Sequence, residues 1–434
     1  MRRLETLRAA LVASWPEPQE IPGSTDAVVL HDPAELRTYS SWVGLATTTR
    51  RGPLLVTAGV DVPFGDSSPD VVVLAHEVAH DVNRWRMPVV PRWFDEGLAA
   101  YLETVELVGE TGVRFGAPGP TLIAEARAQG VLPLATLERL SWETAGFEEA
   151  QTYYRSARLW IHLLRAEEPQ RMRTLETALA AGVPWRTAWP QARTGLDEAR
   201  LTETLHRWLV VGSLPTEFRR YSPPTFSLAE RPLLSWEVHL VLGELWQVGA
   251  GPPDVAERAA RRRAELETAE RLAPDEALPR VLLADLEPDP VARRAAARAL
   301  VTRYPRSPEA AVLLARIERD EGGPPEGREE SARLAVSLAP DDVDALTAFA
   351  LEEARLGRYT PALESARRAV ALAPWNPTVF TTLADVLARV EHCPEALATF
   401  QRAIDVLPDR VSRDDLAALL RERSRMESSC TAGR

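Results

Sequence analysis

Five prolines punctuate the second half of this chain at a nearly fixed interval. They are Pro274, Pro305, Pro340, Pro374 and Pro408, spaced 31, 35, 34 and 34 residues apart. Ala269, Ala335, Ala369 and Ala403 each stand five residues before one of them. A proline stops a helix, and a small residue lets two helices approach closely. A period of this length holds one helix–turn–helix unit. Such a unit cannot bury its own apolar face, so the units must stack. Residues 233–425 are therefore expected to form an all-α solenoid.

The unit closing at Pro374 carries Tyr359, Ala362 and Ala369 at its aromatic and small positions, and the unit closing at Pro408 carries Leu383, Ala396, Phe400 and Ala403. This pattern resembles the tetratricopeptide repeat. The unit closing at Pro340 departs from it, with Arg328 where an alanine is expected. The resemblance implies a concave face that takes a protein partner.

Upstream the texture differs. Ser213–Pro232 is proline-rich and aperiodic, which places a boundary there. The expected organisation is a first domain over 1–215, a linker over 216–232, the repeats over 233–425 and a tail over 426–434. The first stretch mixes periods. Leu4, Leu7 and Leu11 lie at helical spacing, so the N-terminus reads as an amphipathic helix and not as a signal peptide. Asp26–His31 and Gly52–Val60 read as strands. Asp32–Trp42 reads as a helix with Pro33 in its first turn. This mixture predicts an α+β domain.

The chemistry of that domain centres on His76-Glu77-Val78-Ala79-His80, on a helix capped by Ser68. Residues four apart project from one helix face. Two imidazoles so placed can bind one metal ion, with the intervening glutamate beside them. Arg92-Trp93-Phe94-Asp95-Glu96-Gly97 opens a second helix, and Glu96 offers a third ligand. Two neutral imidazoles, one carboxylate and an open position make a catalytic Zn2+ site. Zinc brings the pKa of a bound water to ~7. Glu77 is then the general base, later returning the proton to the leaving amine. Glu103 lies two turns beyond Glu96 on the same face, where it either hydrogen-bonds a ligand histidine or stays solvated. Gly97 lets its helix approach the His76 helix. Arg155 and Arg158 are candidates to hold a substrate carboxylate.

His76 to His80 followed by Trp93 to Glu103 resembles the gluzincin, or peptidase MA-like, zinc metallopeptidases. Aminopeptidase N and its relatives share the pattern. Fifteen residues separate His80 from Glu96, a gap like that of compact bacterial domains of this kind, which are often fused to tetratricopeptide repeats. The resemblance covers residues 71–103. It implies a zincin-like α+β fold, His76, His80 and Glu96 as ligands, Glu77 as base, and a hydrolase acting on a peptide or protein. It further implies Tyr154, or its neighbour Tyr153, as donor to the oxyanion, and an upstream edge strand, assigned to Leu54–Val60, pairing with the substrate backbone. The rival expectation is a non-catalytic interaction protein whose repeats do the work and whose zinc site is structural or vestigial.

Composition narrows the classes. A net charge of −12 disfavours a nucleic-acid binder. No run approaches the roughly 18 apolar residues of a membrane span, and a cytoplasmic location is expected. Cys393 and Cys430 are too few for a disulfide framework and stand far from His76.

Overall fold

In the computed structural model the described residues are 2–15, 24–39, 44–49, 52–58, 69–87, 89–119, 121–140, 147–225, 227, 229–249, 253–322, 324–407 and 413–432. Ser68, Gly59, Val60 and Pro408 lie outside them. The chain divides into two compact units, Met1–Ala229 and Glu230–Arg434.

The first unit runs α1 (Arg2–Val12), β1 (Asp26–Leu30), α2 (Pro33–Tyr39), β2 (Leu45–Thr49), β3 (Gly52–Ala58), α3 (Pro69–Arg86) and α4 (Arg92–Leu102). It continues with β4 (Glu106–Val108), β5 (Gly112–Phe115), α5 (Leu122–Gln129), α6 (Leu134–Leu137) and α7 (Phe147–Glu167). Its last elements are α8 (Pro169–Ala180), α9 (Trp185–Arg193), α10 (Glu198–Val211) and β6 (Glu217–Arg220).

The expected zincin-like α+β domain is corrected by this architecture. The described strands form two separate three-stranded sheets, ordered β1-β3-β2 and β4-β5-β6. The apolar core is mainly helical. Leu7 and Leu11 of α1, Val78 and Val82 of α3, Phe94 and Leu98 of α4, and Leu159 and Leu163 of α7 meet in one buried cluster. The strands span three to seven residues and cannot carry a domain-wide layer. Both strands read from the sequence form, as β1 and β3, but they belong to one three-stranded sheet and do not build a zincin-like layer.

Strand β3 is buried along six of its seven residues. It pairs in parallel with β1 and antiparallel with β2, so it is the centre of its sheet. A central strand has no free edge to offer a substrate. The substrate-pairing role assigned to Leu54–Val60 is therefore corrected; β2 is an edge strand. Strand β6 pairs with β5 from Gly112–Arg220 to Phe115–Glu217, where the sequence reads as aperiodic linker.

The second unit is a run of antiparallel helices. They are α11 (Ser235–Val248), α12 (Val255–Leu272), α13 (Ala277–Asp285), α14 (Pro290–Arg303), α15 (Pro308–Glu321) and α16 (Pro325–Leu338). After them come α17 (Val343–Arg355), α18 (Tyr359–Leu372), α19 (Pro377–Arg389), α20 (Cys393–Asp405) and α21 (Arg413–Ala432). The punctuating prolines act as their spacing predicts. Helices α12, α14, α16 and α18 each end two residues before one. The residue between takes the same conformation every time: φ −136, ψ 70 at Ala273; −124, 66 at Tyr304; −135, 72 at Ala339; −142, 64 at Ala373. A following proline excludes the helical region there.

Ala332, Ala335, Ala345 and Ala348 pack in one buried layer, and Ala362, Ala366, Leu383 and Ala396 in the next. Arg328, the departure from the repeat pattern, has a partner instead. Its Nε donates to Glu352 Oε1 at 3.0 Å, satisfying a buried carboxylate on the next helix pair. Cys393 and Cys430 are joined as a disulfide that ties α21 to the start of α20, and helix runs through residues 426–432 of the segment read as a tail.

Candidate metal centre

Helix α3 presents His76 and His80 toward α4, as the four-residue spacing requires. Their Nε2 atoms stand 3.0 Å apart. Glu96 Oε2 lies 3.3 Å from the first and 3.5 Å from the second. The ligating atoms of the three residues all fall within 4.8 Å of one another. Two imidazole nitrogens and a carboxylate oxygen converging on one point suit a divalent cation. A donor set of two nitrogens and one oxygen, with no fourth protein ligand among the described residues, suits zinc.

The far side of each imidazole is held. His76 Nδ1 meets Glu103 Oε2 at 2.8 Å, and His80 Nδ1 meets Asp95 Oδ2 at 3.0 Å. A carboxylate at Nδ1 fixes the tautomer that turns the Nε2 lone pair inward. Glu103 is fixed in turn by Arg158 Nη1 at 3.1 Å, and Asn83 Nδ2 approaches Asp95 Oδ1 at 3.4 Å. The sequence leaves Glu103 open between two roles and gives Asp95 none; they stand about two turns apart along α4 and its C-cap, and each serves a different histidine.

The electrostatics agree. Burial pushes the His76 imidazolium down, but Glu103 and Glu96 reverse this and leave it raised to about 9. His80 is likewise raised despite burial, by Asp95 and Glu96. The Glu96 carboxyl, against the effect of burial, is held low by the two imidazoles. A field that favours a proton on these rings also favours a cation between them.

Arg92, which no pattern in the sequence singles out, reaches two groups. Its Nη2 lies 3.2 Å from Glu96 Oε1 and donates to the Tyr154 hydroxyl at 2.8 Å. Glu96 thus keeps Oε2 for the centre and Oε1 for Arg92. Tyr154 is half-buried, and burial followed by Glu96 raises its phenol pKa. Tyr153 is buried in the core, which removes it as the alternative donor. Neither arginine proposed for a substrate carboxylate is presented: Arg155 is buried, and Arg158 is engaged with Glu103 and the Ala117 carbonyl.

Two glycines set the close packing. A Cβ on Gly97 would fall 2.6 Å from the Ala157 carbonyl oxygen, so this glycine admits α7 and not α3. That corrects the expected partner. A Cβ on Gly44 would meet Glu77 Cγ at 2.7 Å. The chain entering β2 therefore runs directly against the expected base.

Comparison with known proteins places the chain's likeness in its second unit. Residues 283–425 match the bacterial transcriptional activator domain family. No curated protein matches. Solved structures similar to this chain include TTC0263, a thermophilic TPR protein of Thermus thermophilus, at 21% identity over 45% of this chain and 98% of that one, TM-score 0.32. Another is PilW, a type IV pilus biogenesis factor, at 15% identity over 46% and 90%, TM-score 0.35. A third is YrrB, a TPR protein, at 16% over 42% and 90%, TM-score 0.30.

The resemblance to gluzincin, or peptidase MA-like, metallopeptidases is corrected by the same result: the matching family lies in the repeats, and no peptidase family matches. Classing the chain as a hydrolase or metallopeptidase by family falls with it. The motif behind that resemblance covers 33 residues, two helices and their crossing. Such a pair can be set among any surroundings, so it does not specify a fold. The helical repeats are of a kind that binds protein partners along a concave face. Among the described residues no helix is long and apolar enough to cross a membrane.

Proposed function

We propose that this chain recruits a protein through its helical repeats and carries in its first unit a zinc centre that hydrolyses peptide bonds. The observation supporting the centre is the convergence of His76 Nε2, His80 Nε2 and Glu96 Oε2 while both Nδ1 atoms are held by carboxylates. Zinc bound there would supply a Lewis acid that acidifies a water and polarises a carbonyl. Glu77, one residue past His76, takes the proton of the attacking water and returns it to the leaving amine nitrogen. Tyr154, fixed by Arg92, directs its hydroxyl to the developing oxyanion.

The test separates binding from chemistry. Elemental analysis of purified protein should find one zinc per chain, lost in His76→Ala and Glu96→Ala. Glu77→Gln should keep the zinc and lose cleavage of a peptide library. Cleavage by Glu77→Gln at the parent rate would overturn the catalytic reading.

A second reading is favoured by the family match at residues 283–425. In it the repeats are the working part and the metal centre is structural. The matching family's name speaks of transcriptional activation. A net charge of −12 supports a contact with protein and not with DNA. Pull-down with the full chain, together with a mobility shift on random duplex DNA, distinguishes the two kinds of contact. Retained partner capture by Glu77→Gln and no cleavage by the parent would favour this second reading.

A further inference from the structure

Helix α21 is held differently from the helices before it. Helix α19 buries seven residues, from Val379 to Leu387. Helix α20 buries Ala396, Thr399, Phe400 and Ala403. Between Leu416 and Cys430, α21 buries none. Met426 lies half-buried on the cluster of Leu383, Val386, Leu387 and Ala396, while Arg421, Glu422, Arg425 and Glu427 are exposed. A helix in a protein takes most of its stability from a packed face, and α21 has little of one.

Its firm point is covalent. Cys430, in the last turn of α21, is bonded to Cys393, the first residue of α20, which stands 37 residues earlier. Both cysteines are partly exposed, so a small thiol can reach the bond. Closing a loop of this length removes chain entropy from the opened state and disfavours opening by a factor of about thirty or more.

We propose that the Cys393–Cys430 bond is a redox latch on α21, closed when oxidised and released when a dithiol reduces it. One thiolate of the dithiol attacks Cys430 Sγ, and the S–S bond breaks. Its electron pair leaves with Cys393 Sγ, at the N-terminus of α20 where negative charge is favoured. The second thiolate attacks the mixed disulfide, frees Cys430 and closes the reductant as its own disulfide. Two electrons and two protons pass to the protein. Helix α21 then keeps only its partly buried contacts, and the cluster beneath Met426 opens to water. The latch lies in the second unit and does not depend on the metal centre.

The test is hydrogen exchange on the full chain, oxidised and after dithiothreitol. Thiol counting on unfolded, unreduced protein should find none, and two after reduction. On reduction the amides of Leu416–Cys430 should exchange at least about thirtyfold faster, while those of α17 and α18 keep their rates. Oxidised glutathione should restore the slow exchange. Cys430→Ser should exchange at the fast rate with or without reductant. Free thiols in the unreduced protein overturn the proposal. So do unchanged exchange of α21 after reduction, or equal acceleration in α17 and α18, which would make the bond a general brace of the repeats.

Discussion

Gly97 lies so close to Ala157 that a Cβ would sit 2.6 Å from its carbonyl oxygen. Helix α4 carries Asp95 and Glu96 and ends beside Glu103, and α7 carries Tyr154 and Arg158. The contact therefore sets the spacing of every group that surrounds the imidazoles from these two helices. Gly97→Ala should force the two helices apart. The expected cost is about 1–3 kcal/mol in denaturant unfolding, with weaker zinc retention at equal pH. A variant as stable as the parent and as tight for zinc would show that this approach is not needed.

The carboxylates behind the histidines give a second expectation. Asp95→Asn and Glu103→Gln keep the shape of each side chain but remove the charge that fixes the imidazole. Each should weaken zinc binding by about 10–100-fold in chelator competition. Glu77→Gln serves as the control and should bind zinc like the parent. Parent-like affinity in both positioning variants would mean the Nδ1 contacts contribute nothing to the centre.

The repeats are legible in the sequence because a proline is read in the chain much as it acts in the fold: α12, α14, α16 and α18 each stop two residues before one. His76 and His80 are legible for a similar reason, since a four-residue spacing fixes a helix face; Glu96, on another helix, is legible only through the motif that the second helix resembles. What lies beyond is set by tertiary contact. No local pattern says that β3 is central, that Gly97 meets α7, or that Glu217–Arg220 pairs with β5 across a hundred residues. Arg92 stands four residues before Glu96, a spacing that permits their ion pair, but its second task comes only from the approach of Tyr154 in the fold. The zincin-like domain fails as an expectation because a motif of two helices carries no information about the layers around it.

Glu391 offers a stability test in the second unit. Its φ is 61, the left-handed region, while Gly322 and Gly357 fill the corresponding turns with φ 72 and 74. A side chain there is strained, and glycine is not. Glu391→Gly should raise stability by about 1 kcal/mol, read as a higher denaturant midpoint at constant slope. A lower midpoint would mean that the Glu391 side chain contributes more than the turn costs.

His162 should make the first unit acid-sensitive. Burial lowers its pKa from 6.5 to about 4, helped by Arg158 and Arg165, while its hydrogen bond to the Pro215 carbonyl and Glu217 oppose this. The ring is neutral when folded and takes a proton when unfolded, so between these values the unfolded chain binds more protons. Its contribution is present above about pH 6.5 and is lost as pH falls toward 4. The full effect is roughly 3 kcal/mol. In His162→Gln the pH dependence of unfolding across that window should flatten, and an identical slope in both proteins would assign it elsewhere.

A stack of repeats comes apart most easily at its outermost layer, where a helix has a neighbour on one side only. The Cys393–Cys430 bond fastens that layer by its last helix. Peeling from this end is stopped at a covalent rivet, which only reduction of the bond removes.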